Sequence, residues 1–169
     1  MKCIAYQSEA RQEWDNWVES ARTSLFFFKR NFMEYHADRF QDASLMFYEE
    51  DKLVAVLPAS RHGDELVSHG GLTFGGLIFS AKARADTVLQ VFDALVAYAR
   101  GAGYTRILYK SIPHIFADQG TGEDLYALTR LGASLVRRDL SSVIHLGNRP
   151  KLSKGRKWLI ARKSKCYFW

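Results

Sequence analysis

A stretch at 68–79, SHGGLTFGGLIF, combines one histidine with two pairs of glycines. His69 is a candidate general base toward an amine, because an imidazole titrates near neutral pH. Each glycine weakens a strand, so four of them indicate that the backbone approaches another group closely. A bulged edge strand would account for the same pattern. The four glycines are Gly70, Gly71, Gly75 and Gly76.

A helix pattern follows directly, with apolar residues at helical spacing from Ala83 to Arg100. The start of a helix presents unpaired N–H groups and the positive end of the helix dipole, so a phosphate could bind here. Lys82 and Arg84 would supply positive charge, and Ser80 could cap the helix. The same charges are also typical of a solvated first turn, and both interpretations stay open.

A buried strand is predicted at 106–110, and polar side chains cluster where it ends. Ligands bind at the carboxyl ends of parallel strands, so this cluster is a second candidate for chemistry. Its members are Tyr109, Lys110 and His114.

A third candidate is the pair Arg137 and Arg138, which lies next to Asp139. Two guanidinium groups could clamp a carboxylate or a phosphate of a substrate. Adjacent charges at a strand turn also commonly face solvent, so the pair has a purely structural interpretation as well.

The sequence shows no activated nucleophile. Ser141 and Ser142 lack a Gly-x-Ser-x-Gly setting, and Cys3 and Cys166 lie in no motif that would activate a thiol. An amine can attack a thioester directly, because that reaction needs only positioning, an oxyanion donor and a route for the proton. The absence is therefore compatible with acyl transfer to an amine.

The composition is that of one compact domain, with 169 residues of which 47% are hydrophobic and 14% aromatic. Two cysteines near opposite ends support neither a disulfide framework nor a zinc site. The N-terminus is too poor in apolar residues for a signal peptide, and no apolar run approaches the roughly 20 residues of a membrane span. We therefore expect a cytoplasmic protein without a membrane anchor.

The net charge of +6 is concentrated in one segment. Residues 151–165 contain seven basic and no acidic side chains, which leaves 17 basic against 18 acidic residues elsewhere. A basic tail can bind nucleic acid or an anionic membrane surface, or pack as a helix against an acidic neighbour. Trp158, Leu159 and Ile160 interleave with the basic residues and favour a helix that binds a partner. Nucleic acid is disfavoured because no stacking motif or recognition helix accompanies the charge.

Periodicity, caps and turns predict one layered domain of the α/β (α+β) class, with a mixed sheet of about seven strands covered by helices. A helix crossover between the fourth and fifth strands implies that these two are parallel. The predicted helices are 9–21, 30–39, 83–100 and a short one that starts at a capping box near Thr121 and ends at Gly132. The predicted strands are 2–6, 44–48, 53–58, the glycine-rich strand, 106–110, 134–137 and 140–146.

This succession of elements across 2–146 resembles the GNAT superfamily of acyl-CoA-dependent acyltransferases, and implies a GNAT-like, mostly antiparallel sheet. Seven segments in order narrow the resemblance to the N-terminal module of bacterial GNAT proteins of the FemAB-like type. The segments are FMEYHADRF at 32–40, LVAVLPAS at 53–60, SHGGLTFGG at 68–76, ILYKSIPHI at 107–115, EDLYAL at 123–128, RRDLSSVIHL at 137–146 and KGRKW at 154–158.

The resemblance also implies a site. The fourth strand would bend away from the fifth, and the arm of acetyl-CoA or another acyl-CoA would lie in the slot between them. The family's usual pyrophosphate loop, an arginine or glutamine followed by spaced glycines, is replaced here by FSAKAR at 79–84. The implied cofactor-binding residues are the four glycines with Lys82 and Arg84; the implied catalytic residues are His69, Tyr109 and His114; the implied acceptor-binding residues are His36, Asp38, Lys110, Arg137 and Arg138.

From this resemblance we expect an acyl-CoA-dependent N-acyltransferase module that acts on an amine, such as an amino sugar or another precursor of cell wall or surface polysaccharide. The alternative is a non-catalytic half of a tandem GNAT protein that binds an acceptor or a partner. Tandem modules of this type are joined through a basic helix, so we expect a GNAT-like domain at 1–150 and a basic helical tail at 151–169. The tail would contact a second module or form a homodimer, and the apolar end at 166–169 resembles a first module without its second.

Overall fold

The computed structural model describes residues 1–117, 122–140, 142–144, 147 and 151–163. It contains two compact units, 1–134 and 135–169. The strands of the first unit are β1 (Lys2–Ala5), β2 (Gln41–Asp42), β3 (Leu45–Glu49), β4 (Lys52–Leu57), β5 (Ala59–His62), β6 (Glu65–Ser68), β7 (Ile78–Phe79) and β8 (Arg106–Leu108). Its helices are α1 (Arg11–Ser20), α2 (Arg30–Glu34), α3 (Ala85–Gly101) and α4 (Glu123–Arg130).

The strands predicted at 44–48 and 53–58 are confirmed as β3 and β4, which form an antiparallel hairpin with an acidic turn. Its turn places Glu50 and Asp51 at left-handed φ angles of 46° and 62°. The antiparallel register runs from Leu45 opposite Leu57 to Glu49 opposite Lys52. The hairpin forms the centre of the first sheet, which has the order β1-β3-β4-β7.

Pro58 divides the strand predicted at 53–58 from the residues that follow it. A proline has no N–H to donate to a ladder, so the strand breaks there and changes partners. Before the break, β4 pairs with β3 and β7; after it, β5 pairs with β2 and β6. The strands therefore lie in two four-stranded sheets, the second with the order β2-β5-β6-β8. The predicted α/β (α+β) class is confirmed, and most strand pairs are antiparallel.

The predicted crossover helix is present, but the strand that pairs in parallel with the strand after it is β6, and not the strand that directly precedes the helix. The chain passes from β7 through α3 to β8, and β8 pairs in parallel with β6, with Leu66 opposite Ile107. The apolar face of α3 packs onto the sheets and forms the main core with β3 and β4. Fully or almost fully buried members of this core are Phe47, Leu57, Val88, Val91, Phe92 and Leu95.

Two helices differ in extent from their predictions. The helix predicted at 30–39 ends at Glu34, because the backbone then tightens into turns in which N–H groups bond three residues back, such as His36 to Met33 at 3.3 Å. The helix predicted at 9–21 begins instead with a 3₁₀ turn at Ser8–Ala10. The helix α4 ends at Arg130, and the predicted terminating residue Gly132 lies two positions beyond it with a φ of 71°. The predicted capping residue Thr121 lies outside the described residues.

The second unit contains one helix among its described residues, α5 (Lys154–Lys163). The strands predicted at 134–137 and 140–146 were wrong for the described part of these ranges, which has no strand. Apolar and β-branched residues form a strand only when a neighbouring strand completes the ladder, and none of the described residues in these ranges is paired in one. No helix among the described residues is long and apolar enough to cross a membrane.

Candidate functional site

The glycine-rich loop, residues 69–77, lies where the two sheets diverge. The strand β6 enters the loop from the second sheet, and β7 leaves it in the first sheet. The next strand, β8, returns to β6 rather than to β7. The chain therefore leaves one sheet and enters the other within the glycine-rich loop, so that β7 and β8 lie in different sheets.

Each glycine of the loop faces a group of this same chain. A Cβ at Gly70 would meet Ser60 and Phe40, and a Cβ at Gly71 would lie 2.7 Å from Phe40. The predicted close approach is therefore real, and at this end of the loop the approaching groups are side chains of β5 and of the turn after α2.

The second glycine pair packs in the same way. A Cβ at Gly75 would lie 2.7 Å from His69, and one at Gly76 would lie 2.9 Å from the hydroxyl oxygen of Tyr109. Gly76 also has a φ of 92°, which L side chains rarely adopt. The loop thus folds tightly onto the end of β8.

Lys110 holds this loop in place through hydrogen bonds. Its ammonium group donates hydrogen bonds to the carbonyl oxygens of His69 at 2.7 Å and Leu72 at 2.6 Å. Its backbone carbonyl accepts the N–H of Gly75 at 2.9 Å, and its own N–H donates to Ser68 Oγ at 2.7 Å. Burial lowers the pKa of Lys110. Four hydrogen bonds therefore give this predicted acceptor-binding residue a role in shaping the loop.

His69 is buried, with only 6% of its surface exposed. Its Nε2 lies 2.9 Å from the carbonyl oxygen of Phe27, and its Nδ1 lies 3.2 Å from the carbonyl oxygen of Gly70. Its φ of 44° is unusual for a residue other than glycine. A carbonyl can only accept a hydrogen bond, and a neutral imidazole carries one N–H, so the ring can donate to one of these two carbonyls. Neither ring nitrogen faces a group from which it could take a proton.

Tyr109 connects the end of β8 to the start of β7. Its hydroxyl oxygen accepts the backbone N–H of Leu77 at 3.0 Å. Burial, and to a smaller degree the charge of Asp124, raise the pKa of Tyr109, so its hydroxyl stays protonated across the physiological range. The hydroxyl proton is then available for donation to a group beside it.

A small polar cavity of about 20 Å³ lies next to this hydroxyl. Such a volume holds one or two water-sized groups. The cavity is bounded by β7, by the segment after β8, by the start of α4 and by the segment after α1. Its lining residues are Arg22, Thr23, Leu77, Phe79, Tyr109, Ile112, Pro113, Ala117 and Asp124.

The charged groups of the cavity come from opposite ends of the first unit. Arg22 forms an ion pair with Glu123 at 3.3 Å and lies over the ring of Phe79, 5.3 Å from its centroid. Burial raises the pKa of Asp124 above its usual value, although the Leu125 N–H at 2.8 Å and the charge of Arg22 oppose the rise. An acceptor oxygen, a hydroxyl donor and a guanidinium therefore converge on one small space.

The outer edge of β7 is covered by the segment that supplies Arg22. Ala21 forms an antiparallel bridge with Ser80, and the N–H of Arg22 donates to the carbonyl oxygen of Phe79 at 3.1 Å. The indole N–H of Trp17 donates to the carbonyl oxygen of Ile78 at 3.0 Å. An extended ligand that used this strand edge would have to displace those bonds.

Sequence analysis missed Arg22, Thr23 and Asp124 as site residues. Arg22 and Glu123 are separated by 101 positions, and no local motif connects them. Asp124 carried a signal, but a carboxylate in the first turn of a helix is ordinarily interpreted as part of a cap.

The predicted phosphate-binding residues Lys82 and Arg84 are not part of this cavity. Both are exposed at the start of α3, where Arg84 pairs with Asp86 at 3.5 Å. An open, apolar groove of about 360 Å³ lies beside them, between the first turns of α3 and α4. Its lining residues are Ala85, Leu89, Gly122, Glu123 and Tyr126.

The remaining predicted residues are dispersed. His36 packs edge-to-face against Phe32 and Tyr35, and Asp38 is exposed beside Arg39. His114 begins an exposed 3₁₀ turn after β8.

Arg137 and Arg138 belong to the second unit, where both are exposed and Arg137 pairs with Asp139 at 2.9 Å. Among the described residues, no cluster of histidine, cysteine and carboxylate side chains could hold a metal ion.

This architecture is similar to that of solved structures of other proteins. A point mutant of TTHA1254 from Thermus thermophilus matches with a TM-score of 0.51 at 13% identity, over 86% of this chain and 98% of that one. This chain shares its fold with TTHA1254. The relationship is distant, and at that identity it concerns the fold alone.

Two further matches have lower TM-scores. Wild-type TTHA1254 from the same organism has a TM-score of 0.47 at 15% identity, over 88% of this chain and 100% of that one. FemX has a TM-score of 0.49 at 11% identity over 78% of this chain, which spans only 32% of FemX. No protein-family model matches this sequence, and no curated protein sequence is significantly similar to it.

Proposed function

We propose that this chain is a module of a GNAT-type, FemAB-like N-acyltransferase and that, in the conformation described, it receives the amine acceptor rather than the acyl-CoA. The acceptor would be an amino sugar or another amine of a cell-wall or surface-polysaccharide precursor. The seven resembling segments support the enzyme class. A second GNAT-like module would supply the acyl donor.

One observation carries the choice of the acceptor over the donor. The slot between β7 and β8 leaves only about 20 Å³, and both groups that could receive an acyl-CoA arm there are engaged. The edge of β7 bonds to Ala21 and Arg22, and the N–H of Leu77 bonds to Tyr109. A pantetheine arm is far larger than this space, whereas the nitrogen of a primary amine has the size of a water molecule.

The lining chemistry suits a neutral amine. The carboxyl group of Asp124 can accept hydrogen bonds from an amine, and the hydroxyl of Tyr109 can donate one. The guanidinium of Arg22 disfavours a second positive charge nearby and so favours the unprotonated, nucleophilic form of the amine. Asp124 is therefore the residue that we assign to the acceptor nitrogen.

The acceptor role is tested with D-glucosamine as the probe, by saturation-transfer NMR on the full 169-residue chain. We expect binding of D-glucosamine and its loss for N-acetyl-D-glucosamine, whose nitrogen is blocked. Asp124→Asn should weaken the binding at least tenfold. The matched control is Asp86→Asn, because Asp86 in the first turn of α3 likewise accepts the N–H of the next residue, Thr87, at 2.9 Å and lies outside the cavity. Equal binding of both sugars would overturn the proposal.

The second candidate function is an acyl-CoA-dependent N-acyltransferase that acts without another module. The apolar groove of about 360 Å³ beside Lys82 and Arg84 favours it, because this size is typical of small-molecule sites and the two cations could meet phosphates. Calorimetric titration of the full chain with acetyl-CoA and desulfo-CoA separates the two functions. Saturable micromolar binding, lost in a Lys82→Glu, Arg84→Glu double variant, would favour the autonomous enzyme; no binding at millimolar concentration would favour the acceptor module.

A further inference from the structure

The first unit carries a connected series of aromatic rings, which we call the aromatic surface. It begins at Tyr35, at the end of α2, and ends at Phe116, in the 3₁₀ turn after β8. Neighbouring ring centroids along it are 4.0–6.2 Å apart. The rings between the two ends are Phe26, Phe27, Phe32, His36 and Phe74.

Three of these rings are open to solvent. Tyr35 is 80% exposed, Phe26 60% and Phe116 39%. The other rings are half-buried and hold the exposed ones in place; the ring of Phe74, for example, stacks on that of Phe116 at 5.1 Å between centroids. Connected apolar rings exposed on a folded domain ordinarily mark a site of interaction.

The aromatic surface borders the cavity described above. The segment after α1, which lines the cavity, also supplies Phe26. On the other side, Phe116 directly precedes Ala117 of the cavity lining, and Ile112 of that lining packs against the same apolar cluster as Phe74. A molecule with one group in the cavity therefore has the aromatic surface within reach.

The charges around the aromatic surface neutralise one another. Every lysine, arginine and carboxylate side chain between Phe26 and Phe40 forms an ion pair. Single-stranded nucleic acid needs a positively charged groove beside its stacking rings, and an anionic lipid surface needs a cluster of basic side chains. A neutral surface therefore favours an uncharged ring over either. The pairs are Lys29 with Glu19, Arg30 with Glu34 and Asp42, Glu34 with Arg11, and Arg39 with Asp38.

Pyranose rings have the chemistry that such a surface would bind. In β-linked glucose and glucosamine units the ring substituents lie equatorially, so each face of the ring presents only C–H groups. These groups are weakly positive, whereas the face of an aromatic ring is negative. The hydroxyl groups point outward from the edge of the sugar and stay in contact with water.

We propose that the aromatic surface binds the sugar units next to the acceptor amino sugar, so that the acceptor is a glycan chain of several units and not a single sugar. This inference rests on the proposed function, because it takes the cavity as the place of the acceptor nitrogen. Phe26 and Phe116 stack on the neighbouring sugars. His36, which was predicted to bind the acceptor, then contributes as one of the rings of this surface.

The proposal is tested by calorimetric titration and saturation-transfer NMR on the full 169-residue chain. D-glucosamine reports on the cavity alone. The tetrasaccharide of β-1,4-linked N-acetylglucosamine reports on the aromatic surface alone, because its nitrogens are blocked. The tetrasaccharide of β-1,4-linked glucosamine reports on both. We expect it to bind roughly tenfold more tightly than D-glucosamine, which corresponds to one or two stacked rings.

Phe26→Ala should weaken the binding of both tetrasaccharides roughly three- to tenfold and leave that of D-glucosamine unchanged. Phe26→Tyr should bind like the wild type because it keeps the ring face. Phe26→Leu should behave like Phe26→Ala, because leucine is apolar but has no ring. The matched control is Leu125→Ala, which shortens an equally exposed apolar side chain on α4 and should change no affinity. Since Phe26 is mostly exposed, its variants should fold normally.

Equal affinities for D-glucosamine and for its tetrasaccharide would overturn the proposal. Full binding by Phe26→Leu would overturn it too, because the contact would then be a general apolar one that suits a protein partner. A concentration-dependent dimer in light scattering that Phe26→Ala abolishes would show that a second copy covers the surface instead.

The same titrations separate this proposal from the proposed function. Phe26-dependent binding of the N-acetylated tetrasaccharide without any binding of D-glucosamine would support the aromatic surface as a glycan site and overturn the acceptor role of the cavity. Binding of D-glucosamine that depends on Asp124, without a gain for the tetrasaccharide, would support the acceptor role and overturn the assignment of the aromatic surface.

Discussion

The hydroxyl oxygen of Tyr109 accepts the backbone N–H of Leu77 at 3.0 Å, and this bond joins the end of one sheet to the start of a strand in the other. Because the N–H faces the interior of the first unit, the bond also satisfies a donor that would otherwise be buried without a partner. In an acyltransferase site, such an N–H would be free to bind the developing oxyanion of a thioester. Here the N–H of Leu77 is already bonded to the hydroxyl oxygen of Tyr109.

Tyr109→Phe removes this acceptor and leaves the ring in place. We expect a loss of about 1–3 kcal/mol in the free energy of unfolding, since the Leu77 N–H is left unpaired, measured by urea denaturation. The control is Tyr98→Phe, because the partly buried hydroxyl of Tyr98 has no hydrogen bond to the described residues. Equal losses in both variants would show that the bond to Leu77 contributes nothing of its own.

Gly76→Ala tests the fit of the glycine-rich loop. An alanine at a φ of 92°, with its Cβ 2.9 Å from the Tyr109 hydroxyl, should destabilise the fold by about 1–3 kcal/mol. Gly101→Ala is the control, because nothing lies within 4 Å of its Cβ position and alanine is the better helix former. It should be neutral or slightly stabilising.

The two changes should also couple. In the Tyr109→Phe background the hydroxyl that the new Cβ meets is absent, so part of the cost of Gly76→Ala should disappear. A double-mutant cycle from urea denaturation measures this coupling, and strict additivity would contradict the contact between Gly76 and Tyr109.

The glycine-rich loop and its neighbours also show which features of the site could be predicted from the sequence. Two glycine pairs in a strand pattern predicted a close backbone approach, which is confirmed, because φ angles and missing side chains are local properties. The identity of the approaching groups was not predictable, since Phe40, Ser60 and Tyr109 reach the loop through tertiary packing. Periodicity predicted the crossover helix α3, and the crossover implied a parallel neighbour for the strand at 106–110. That this neighbour is β6 and not the strand directly before α3 was not predicted, because the exchange of sheets within the glycine-rich loop depends on tertiary packing.

The cavity could not be predicted from the sequence either, because its lining residues also come together through tertiary packing. Arg22 meets Glu123 and Asp124 only because the segment after α1 covers the edge of β7, and nothing near Arg22 in the sequence signals that position. The division into two sheets was missed as well. Pro58 was visible, but a proline at the end of a strand pattern ordinarily predicts a strand end rather than an exchange of partners.

Asp124→Asn should raise the stability of the protein at pH 7 and weaken its binding of D-glucosamine. Burial raises the pKa of Asp124, so the folded state holds this proton more tightly than the unfolded chain does. The contribution of this group to stability is present below the ordinary carboxyl pKa and is lost as the pH rises through the folded value. At pH 7 the variant should therefore have a higher urea midpoint than the wild type, although it binds D-glucosamine less well.

At pH 3 this difference in urea midpoint should vanish, because both side chains are then neutral. The control Asp86→Asn should show no such gain at pH 7, since Asp86 is exposed. A lower midpoint for Asp124→Asn at pH 7 would mean that the hydrogen bonds to the Asp124 carboxylate and the nearby charge of Arg22 outweigh its desolvation.

The protein should lose stability in alkaline solution, beginning at Cys3. Burial raises the pKa of this thiol from 9.0 to about 12, and burial also raises the pKa values of Tyr48 and Tyr109 above 10.0. A group whose folded pKa is raised stabilises the fold below its unfolded pKa and loses that contribution as the pH approaches the folded value. The decline should therefore begin near pH 9 and steepen above pH 10.

Lys110 acts in the opposite direction, because burial lowers its pKa and the unfolded chain holds that proton more tightly. One such group offsets only part of the loss from a thiol and two phenols, so the net change above pH 9 should be a decrease in the urea midpoint. Cys3→Val keeps a side chain of similar size and removes the first titration. Its urea midpoint should stay constant between pH 9 and 10, where that of the wild type falls; parallel curves would show that the Cys3 thiol is not the group that starts the decline.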